Sequence, residues 1–232
     1  MLLAVFSDIH ANLSALQAAM RSAEVRGADA LINLGDVVGY GPSPVECIDV
    51  VRAEFALSVL GNHDSAVAGV PDKALPPDGQ KAVALHRELL DFDRIAWLAS
   101  LPYVAEAYGA TFVHAAPLEP ERWPRLESAR DTQRQFGAFE TPICFVGHSH
   151  RQAVVADTIG VFRVRPGHRY LVNVGSVGQP RDRDPRLGYA LFDTDAFSVE
   201  LVREHYDHAQ TVAAIAKAGL PDSLGKRLQT GT

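Results

Sequence analysis

Cysteine is scarce in this chain: two residues in 232, Cys47 and Cys144, with neither in a closely spaced pair. That excludes a disulfide framework or a cysteine-built zinc site as the organising element, and both thiols are expected to be small buried side chains in a reducing compartment. Long apolar runs are missing too, since none approaches the ~20 uncharged residues needed to cross a bilayer. Met1 to Phe6 is apolar, but it carries no basic flank and Asp8 follows at once, so no secretory leader is expected. Basic charge is in deficit, with 22 Lys+Arg against 28 Asp+Glu and a net charge of −6. Stable nucleic-acid binding, which feeds on an excess of basic charge, is therefore not expected. These absences leave a cytoplasmic protein without membrane contact as the expectation. They are silent on oligomeric state.

What is present is an ordinary core-forming composition, 47% hydrophobic and 22% charged, in a chain long enough for one large domain. No internal repeat or linker divides it, so a single domain over residues 1–232 is expected, with a short helical tail at about 207–232. The first part alternates strand-like and helix-like segments. Apolar runs at 2–7, 30–34 and 56–60 each stop at a polar motif. Between them, Leu13, Leu16, Met20 and Ala23 recur at helical spacing behind Asn12 or Ser14 as a cap, and residues 44–54 follow Pro42 and Pro44 as a second helix. The Pro- and Gly-rich stretch within 65–80 reads as a loop that would form a lid, and 80–99 reads as one long helix. Strands are expected at 103–108, 110–114, 143–147, 151–156, 160–165, 169–174, 187–193 and 197–204, with a helix at 127–138. The β-α-β-α-β opening implies a parallel sheet, and the later strands, joined by short turns, imply a second and more antiparallel one. The fold class is α/β, a four-layer α/β/β/α sandwich of two mixed sheets flanked by helices.

Five motifs end five of these strands: Asp8-Ile9-His10, Gly35-Asp36, Gly61-Asn62-His63-Asp64, His114, and Gly147-His148-Ser149-His150. Ligands of open α/β sheets gather at the carboxyl ends of strands, so motifs distant in sequence can meet there. Imidazole and carboxylate together suit divalent zinc, manganese, iron, nickel or cobalt, without choosing among them. Asp36 is the natural carboxylate to bridge two ions through its two oxygens. Two dications with Asp8, Asp36 and a bridging hydroxide retain net positive charge, which would attract a phosphate, and ions about 3.5–4 Å apart can activate water and clamp the transferring group. His63, beside Asn62, is free to protonate a leaving group, with Asp64 orienting its ring. His86, His168, His205 and His208 lie outside the motifs and receive no role. Arg181 and Arg183 either reach substrate phosphate or, the favoured reading, pair with Asp182 and Asp184 on a solvated loop. Gly175 and Gly178 are expected to shape a tight turn, with phosphate cradling as the alternative.

The ordered set D-x-H, G-D, G-N-H-D, H, G-H-x-H resembles the calcineurin-like metallophosphoesterase superfamily. Gly39-Tyr40-Gly41-Pro42 and the segment Asn173 to Arg181 are similar to its small bacterial and archaeal phosphodiesterases. The resemblance implies one metal on Asp8, His10, Asp36 and His150, and a second on Asp36, Asn62, His114 and His148. It implies that His63 contacts the substrate and assists departure of the leaving group; beside it, the residues themselves make Asp64 a catalytic candidate and Asn62 and Arg181 candidates for substrate contact. The implied activity is a dinuclear metal-dependent phosphohydrolase, first a phosphodiesterase, on a small phosphate ester or nucleotide. A dinucleoside polyphosphate hydrolase and a catalytically silent scaffold of the same fold are the alternatives. Ala115-Ala116-Pro117 and Val174 depart from the family pattern without removing a ligand.

Overall fold

The structure is a computed structural model that describes residues 1–70, 74–161 and 163–232. Its elements run β1 (Leu2–Phe6), α1 (Leu13–Val25), β2 (Ala30–Asn33), α2 (Pro44–Glu54), β3 (Leu57–Ser58), α3 (Asn62–Val67), α4 (Pro77–Leu89), α5 (Phe92–Ser100), β4 (Val104–Ala107) and β5 (Ala110–Val113). There follow α6 (Ala129–Gln135), β6 (Ile143–Val146), β7 (Gln152–Ala156), β8 (Tyr170–Val174), β9 (Leu187–Asp193), β10 (Ser198–Glu204), α7 (His208–Lys217) and α8 (Asp222–Thr230).

Two five-stranded mixed sheets face each other, in the orders β10-β9-β1-β2-β3 and β4-β5-β6-β8-β7. Side-chain alternation along each strand dictates this sandwich. In β1, Leu3 and Val5 enter the core between the sheets, while Ala4 and Phe6 pack outward under the helices. In β6, Ile143 and Phe145 point inward and Cys144 and Val146 outward. Both faces of the central strands are apolar, so both must be covered. Burying one such Phe contributes about 1.5–3 kcal/mol. Cys47 and Cys144 are buried free thiols, as expected.

The later strands divide differently from the expectation. β9 and β10 join the first sheet, where β9 runs antiparallel to β1 with Leu3 opposite Phe192. The reason lies in β9 itself, whose Ala190 and Phe192 face the inter-sheet core while Leu187, Tyr189 and Leu191 face the helix layer. The long helix expected over 80–99 is two helices. Leu90 is extended, and Asp91 starts α5 by accepting from Arg94 N at 3.0 Å. The expected strand at 160–165 contains residue 162, outside the described residues, and its described neighbours form no strand. The expected lid includes 71–73, also outside them; on either side, Asn62–Val67 and Pro77–Leu89 are helices. Asn12, not Ser14, caps α1 through Ala15 N, and its amide also binds Gly178 O and Tyr206 Oη, tying the tail to the first loop.

The topology decides where chemistry can occur. β1, β2 and β3 are mutually parallel, and so are β5, β6 and β8. Their carboxyl ends meet along one edge of the sandwich, and every motif follows one of them.

Candidate metal centre

The loops after β1 and β2 continue side by side beyond their strands. Asp8 N donates to Gly35 O, His10 N to Asp36 O and Ala11 N to Val37 O, at 2.8–3.1 Å. This zipper holds both loops in conformations they would not choose alone. Asp8, His10, Asp36, His148 and His150 all have φ between 48° and 62°. Left-handed backbone at a non-glycine residue costs about 1–3 kcal/mol, and such strain collects where function demands a particular aim.

The aim is convergent. Asp8, His10, Asp36, His114 and His150 are each no more than 2% exposed. Asp8 Oδ1 lies 3.2 Å from His150 Nε2 and 3.7 Å from His10 Nε2, and the two histidine nitrogens are 3.2 Å apart. Asp36 Oδ2 lies 3.7 Å from His10 Nε2 and 3.4 Å from His114 Nε2, and His114 Nε2 is 3.2 Å from Asn62 Oδ1. The remaining nitrogens settle the tautomers. His10 Nδ1 faces Val38 O at 3.0 Å, His114 Nδ1 faces Leu34 O at 2.8 Å, and His150 Nδ1 faces Gln179 O. A carbonyl only accepts, so each Nδ1 carries a proton and each Nε2 is left facing inward, free to hold a metal or, failing that, a second proton. The centre is therefore acceptors facing acceptors, a buried arrangement that repels itself unless a cation sits among them. The donor set fits divalent metal: three imidazole nitrogens, two carboxylates and an amide oxygen.

The titration behaviour says the same. Burial alone would lower the His114 pKa, but Asp36 and then Asp8 raise it to about 9, so a proton takes the place of a metal there. Burial would raise the Asp8 and Asp36 carboxyls, yet His150 holds Asp8 low and His114 holds Asp36 low. Burial lowers His10 and His150 and takes His148 down to about 3, keeping those rings neutral and ligand-ready.

Asp36 sits between the two groups of donors through one oxygen rather than two. Oδ2 lies between His10 and His114, while Oδ1 accepts His63 N at 2.8 Å. His148 is placed less deeply, half-buried, with its ring edge-on to His114 at 5.1 Å and its backbone N–H on Asp8 Oδ2 at 2.9 Å.

His63 differs from His10, His114 and His150. Its Nδ1 has no hydrogen-bond partner among the described residues, and its ring packs on Tyr40 at 4.5 Å and His10 at 4.9 Å while lining the cavity above the cluster. Burial, with Arg181 opposing the pull of Asp36, lowers its pKa to about 4. Asp64 is not its orienting partner. Asp64 Oδ1 accepts Val38 N at 3.1 Å and Oδ2 accepts Gly61 N at 3.2 Å, so the carboxyl braces the two loops. Burial and then Asp36 raise it to about 7.

Arg181 corrects the favoured sequence reading. Asp182 pairs with Arg203 and Asp184 with Arg186, while Arg181 donates to Gln179 Oε1 at 2.8 Å and lies 5.4 Å from the Tyr40 ring centre, on the cavity wall. The loop it ends acts as a buckle. Ser176 Oγ and Gly178 N both donate to Asp8 O at 2.8 Å, and Arg181 N donates to His150 O at 3.2 Å. A Cβ on Gly178 would lie 1.9 Å from Ile9 O. Gly178→Ala is therefore expected to displace the Asp8 loop and cost about 1–3 kcal/mol, read as a lower Tm together with weaker metal retention on dialysis. A variant that retained metal like the parent would show that the buckle does not position Asp8.

Tyr40 is a further cavity wall, inside the Gly39–Pro42 stretch that carries the family resemblance but not marked by it as a site residue. Trp123 is another, and no pattern in the sequence marks it. Trp123 stands at φ 52° after a short turn of 3-10 helix, edge-on to His114 at 5.8 Å and beside Tyr103 at 5.4 Å, lining the same cavity.

Residues 1–196 match the family model described as the calcineurin-like phosphoesterase superfamily domain. An uncharacterized protein of Methanocaldococcus jannaschii is 36% identical, with 99% of this chain and 98% of that protein covered. A metallophosphoesterase of Sphaerobacter thermophilus superposes with TM-score 0.90 at 38% identity, covering 100% and 99% of the two chains. A hypothetical protein of Pyrococcus horikoshii shares the fold, with TM-score 0.82 at 20% identity over 100% and 98%.

Proposed function

Because this chain belongs to the calcineurin-like phosphoesterase superfamily, and is thus a metal-dependent phosphoesterase, we propose that it is a phosphodiesterase with two divalent cations and with His63 as the leaving-group acid. Asp8, His10, Asp36 and His150 would hold one cation, and Asp36, Asn62, His114 and His148 the other. Bound there, the cations supply the charge that acidifies an attacking water and offsets charge on the phosphoryl group.

The observation that supports the role of His63 is its missing anchor. Among the described residues, His10, His114 and His150 each fix Nδ1 on a backbone carbonyl, as a metal-binding imidazole commonly does, and His63 does not; His148, the remaining proposed histidine ligand, is placed by its backbone N–H on Asp8 Oδ2 instead. Its ring faces the cavity instead, where the leaving oxygen of a bound ester would lie. A group titrating near 4 is mostly unprotonated at neutral pH, and the negative charge of the substrate raises it toward the acid form as binding occurs. His63 then gives its proton to the departing oxygen. Arg181, held against Tyr40 and Gln179, offers its guanidinium to a non-bridging phosphate oxygen. Asp64 acts at one remove, by holding the Val38 and Gly61 amides.

The diester reading is tested by hydrolysis of bis(p-nitrophenyl) phosphate against p-nitrophenyl phosphate, with chelated protein and restored manganese. Metal-dependent preference for the diester is expected. A preference for the monoester, or turnover that survives exhaustive chelation, would sink it.

A further inference from the structure

The cavity directly above the candidate metal centre is small, about 70 Å³. It does not end there. A second cavity of about 610 Å³ adjoins it, and the two share Arg125, His148 and Arg181 as common walls. That second volume is within the ~300–1,000 Å³ range of small-molecule sites.

Its lining is mixed. Arg125, Arg151 and Arg181 line it together with a single acid, Glu127, and Leu126, Val155 and Leu171 supply an aliphatic floor. None of the three arginines has a carboxylate partner among the described residues, although the chain carries net negative charge. The contrast with their neighbours is informative. On the same loop as Arg181, the acids Asp182 and Asp184 are taken by Arg203 and Arg186. Arg151 is steered by donating from Nε to Arg181 O at 3.1 Å, which brings two guanidinium-bearing residues together instead of pairing either with an acid. Three guanidinium groups against the one carboxylate of Glu127 leave the cavity wall net positive, which favours an anion, and the planar fork suits phosphate.

We propose that this second cavity is a leaving-group subsite for a nucleotide-like moiety that carries its own phosphate, with Arg125 and Arg151 on that phosphate and the aliphatic floor under the base. This assignment rests on the phosphodiesterase reading for its turnover but not for its binding. It narrows the substrate class to linear diesters or anhydrides with a second phosphate close to the scissile one, and it disfavours small uncharged leaving groups.

Two measurements on the manganese-loaded protein test it. The first is the ratio of kcat/KM for a linear dinucleotide with a terminal phosphate to that for the same dinucleotide without it. The parent is expected to favour the phosphorylated form by about tenfold or more, the usual weight of a charge-assisted contact. Arg125→Ala/Arg151→Ala is expected to bring the ratio toward one, and Arg125→Lys/Arg151→Lys to keep part of it. A general loss of activity lowers both rates and leaves the ratio alone, so an unchanged ratio in the alanine variant overturns the proposal. The second is calorimetric binding of a methylene-bridged, hydrolysis-resistant analogue of ADP, expected to weaken at least fivefold in the alanine variant. Should neither dinucleotide be cleaved, the phosphodiesterase reading fails and the binding result alone decides the subsite: weakened binding upholds it, equal binding overturns it.

Discussion

Asp36→Asn is expected to remove both cations together and to lower turnover on the order of a thousandfold, about 4 kcal/mol of transition-state stabilisation. The substitution is close to isosteric, and the structure says what each half of the new side chain would do. The amide oxygen can replace Oδ1 and keep the 2.8 Å bond from His63 N, so the start of α3 stays in place. The amide nitrogen then replaces Oδ2, between His10 Nε2 and His114 Nε2. Those nitrogens present lone pairs, because their Nδ1 protons are committed to Val38 O and Leu34 O. An N–H₂ group satisfies them where a carboxylate needs a proton or a metal. The metal-free variant is therefore expected to melt no lower than the metal-free parent, while metal analysis finds both ions depleted. A variant that lost one equivalent and kept the other would count against a shared Asp36. One that lost its fold as well as its metal would show that the acceptor cluster is not self-repelling.

Much of this site was legible in the sequence. Asp8, His10, Asp36, Asn62, His114, His148 and His150 each follow a strand that ends in sequence as clearly as in space, so local pattern and the strand-end rule located them together. What did not show was anything set by neighbours far along the chain. Asp64 stands next to His63, and adjacency invited a pairing, yet the helix of α3 turns the carboxyl toward the Val38 and Gly61 amides. Arg181 has Asp182 beside it, yet Arg203, arriving on β10, takes that acid and leaves Arg181 for the cavity. Trp123 comes from a segment without periodicity, positioned by two left-handed residues, Glu119 and Trp123 itself. The assignment of β9 and β10 to the first sheet was likewise a tertiary choice. Their alternation was readable, but which open edge would receive them depended on β1 having one to offer.

His63→Ala separates the two kinds of histidine. Its backbone N–H, which holds Asp36, survives the change, and its ring is not anchored as those of His10, His114 and His150 are, so metal content is expected to stay near that of the parent. The rate effect should depend on the leaving group. General acid catalysis contributes about 10²–10⁴-fold where the departing oxygen needs a proton. An alkoxide leaving group, such as the sugar oxygen of a dinucleotide, is strongly basic and should show that full loss. p-Nitrophenolate leaves without protonation, so bis(p-nitrophenyl) phosphate should lose far less. The ratio of the two losses is the readout. Equal losses on both substrates would assign His63 to phosphate binding rather than proton transfer. Loss of metal would make it a ligand, an outcome with some geometric basis, since its nitrogen lies within 4.8 Å of donor atoms of His10 and Asp36. The ring's contacts argue for the acid instead. Its flank rests on Tyr40, the residue that also carries Arg181, so the proton donor and the phosphate-binding guanidinium share one aromatic support. Tyr40→Ala should accordingly weaken both functions, raising KM on either ester and lowering kcat mainly on the alkyl one. An alkyl-ester kcat unaffected by that change would show that the Tyr40 ring does not set the aim of His63.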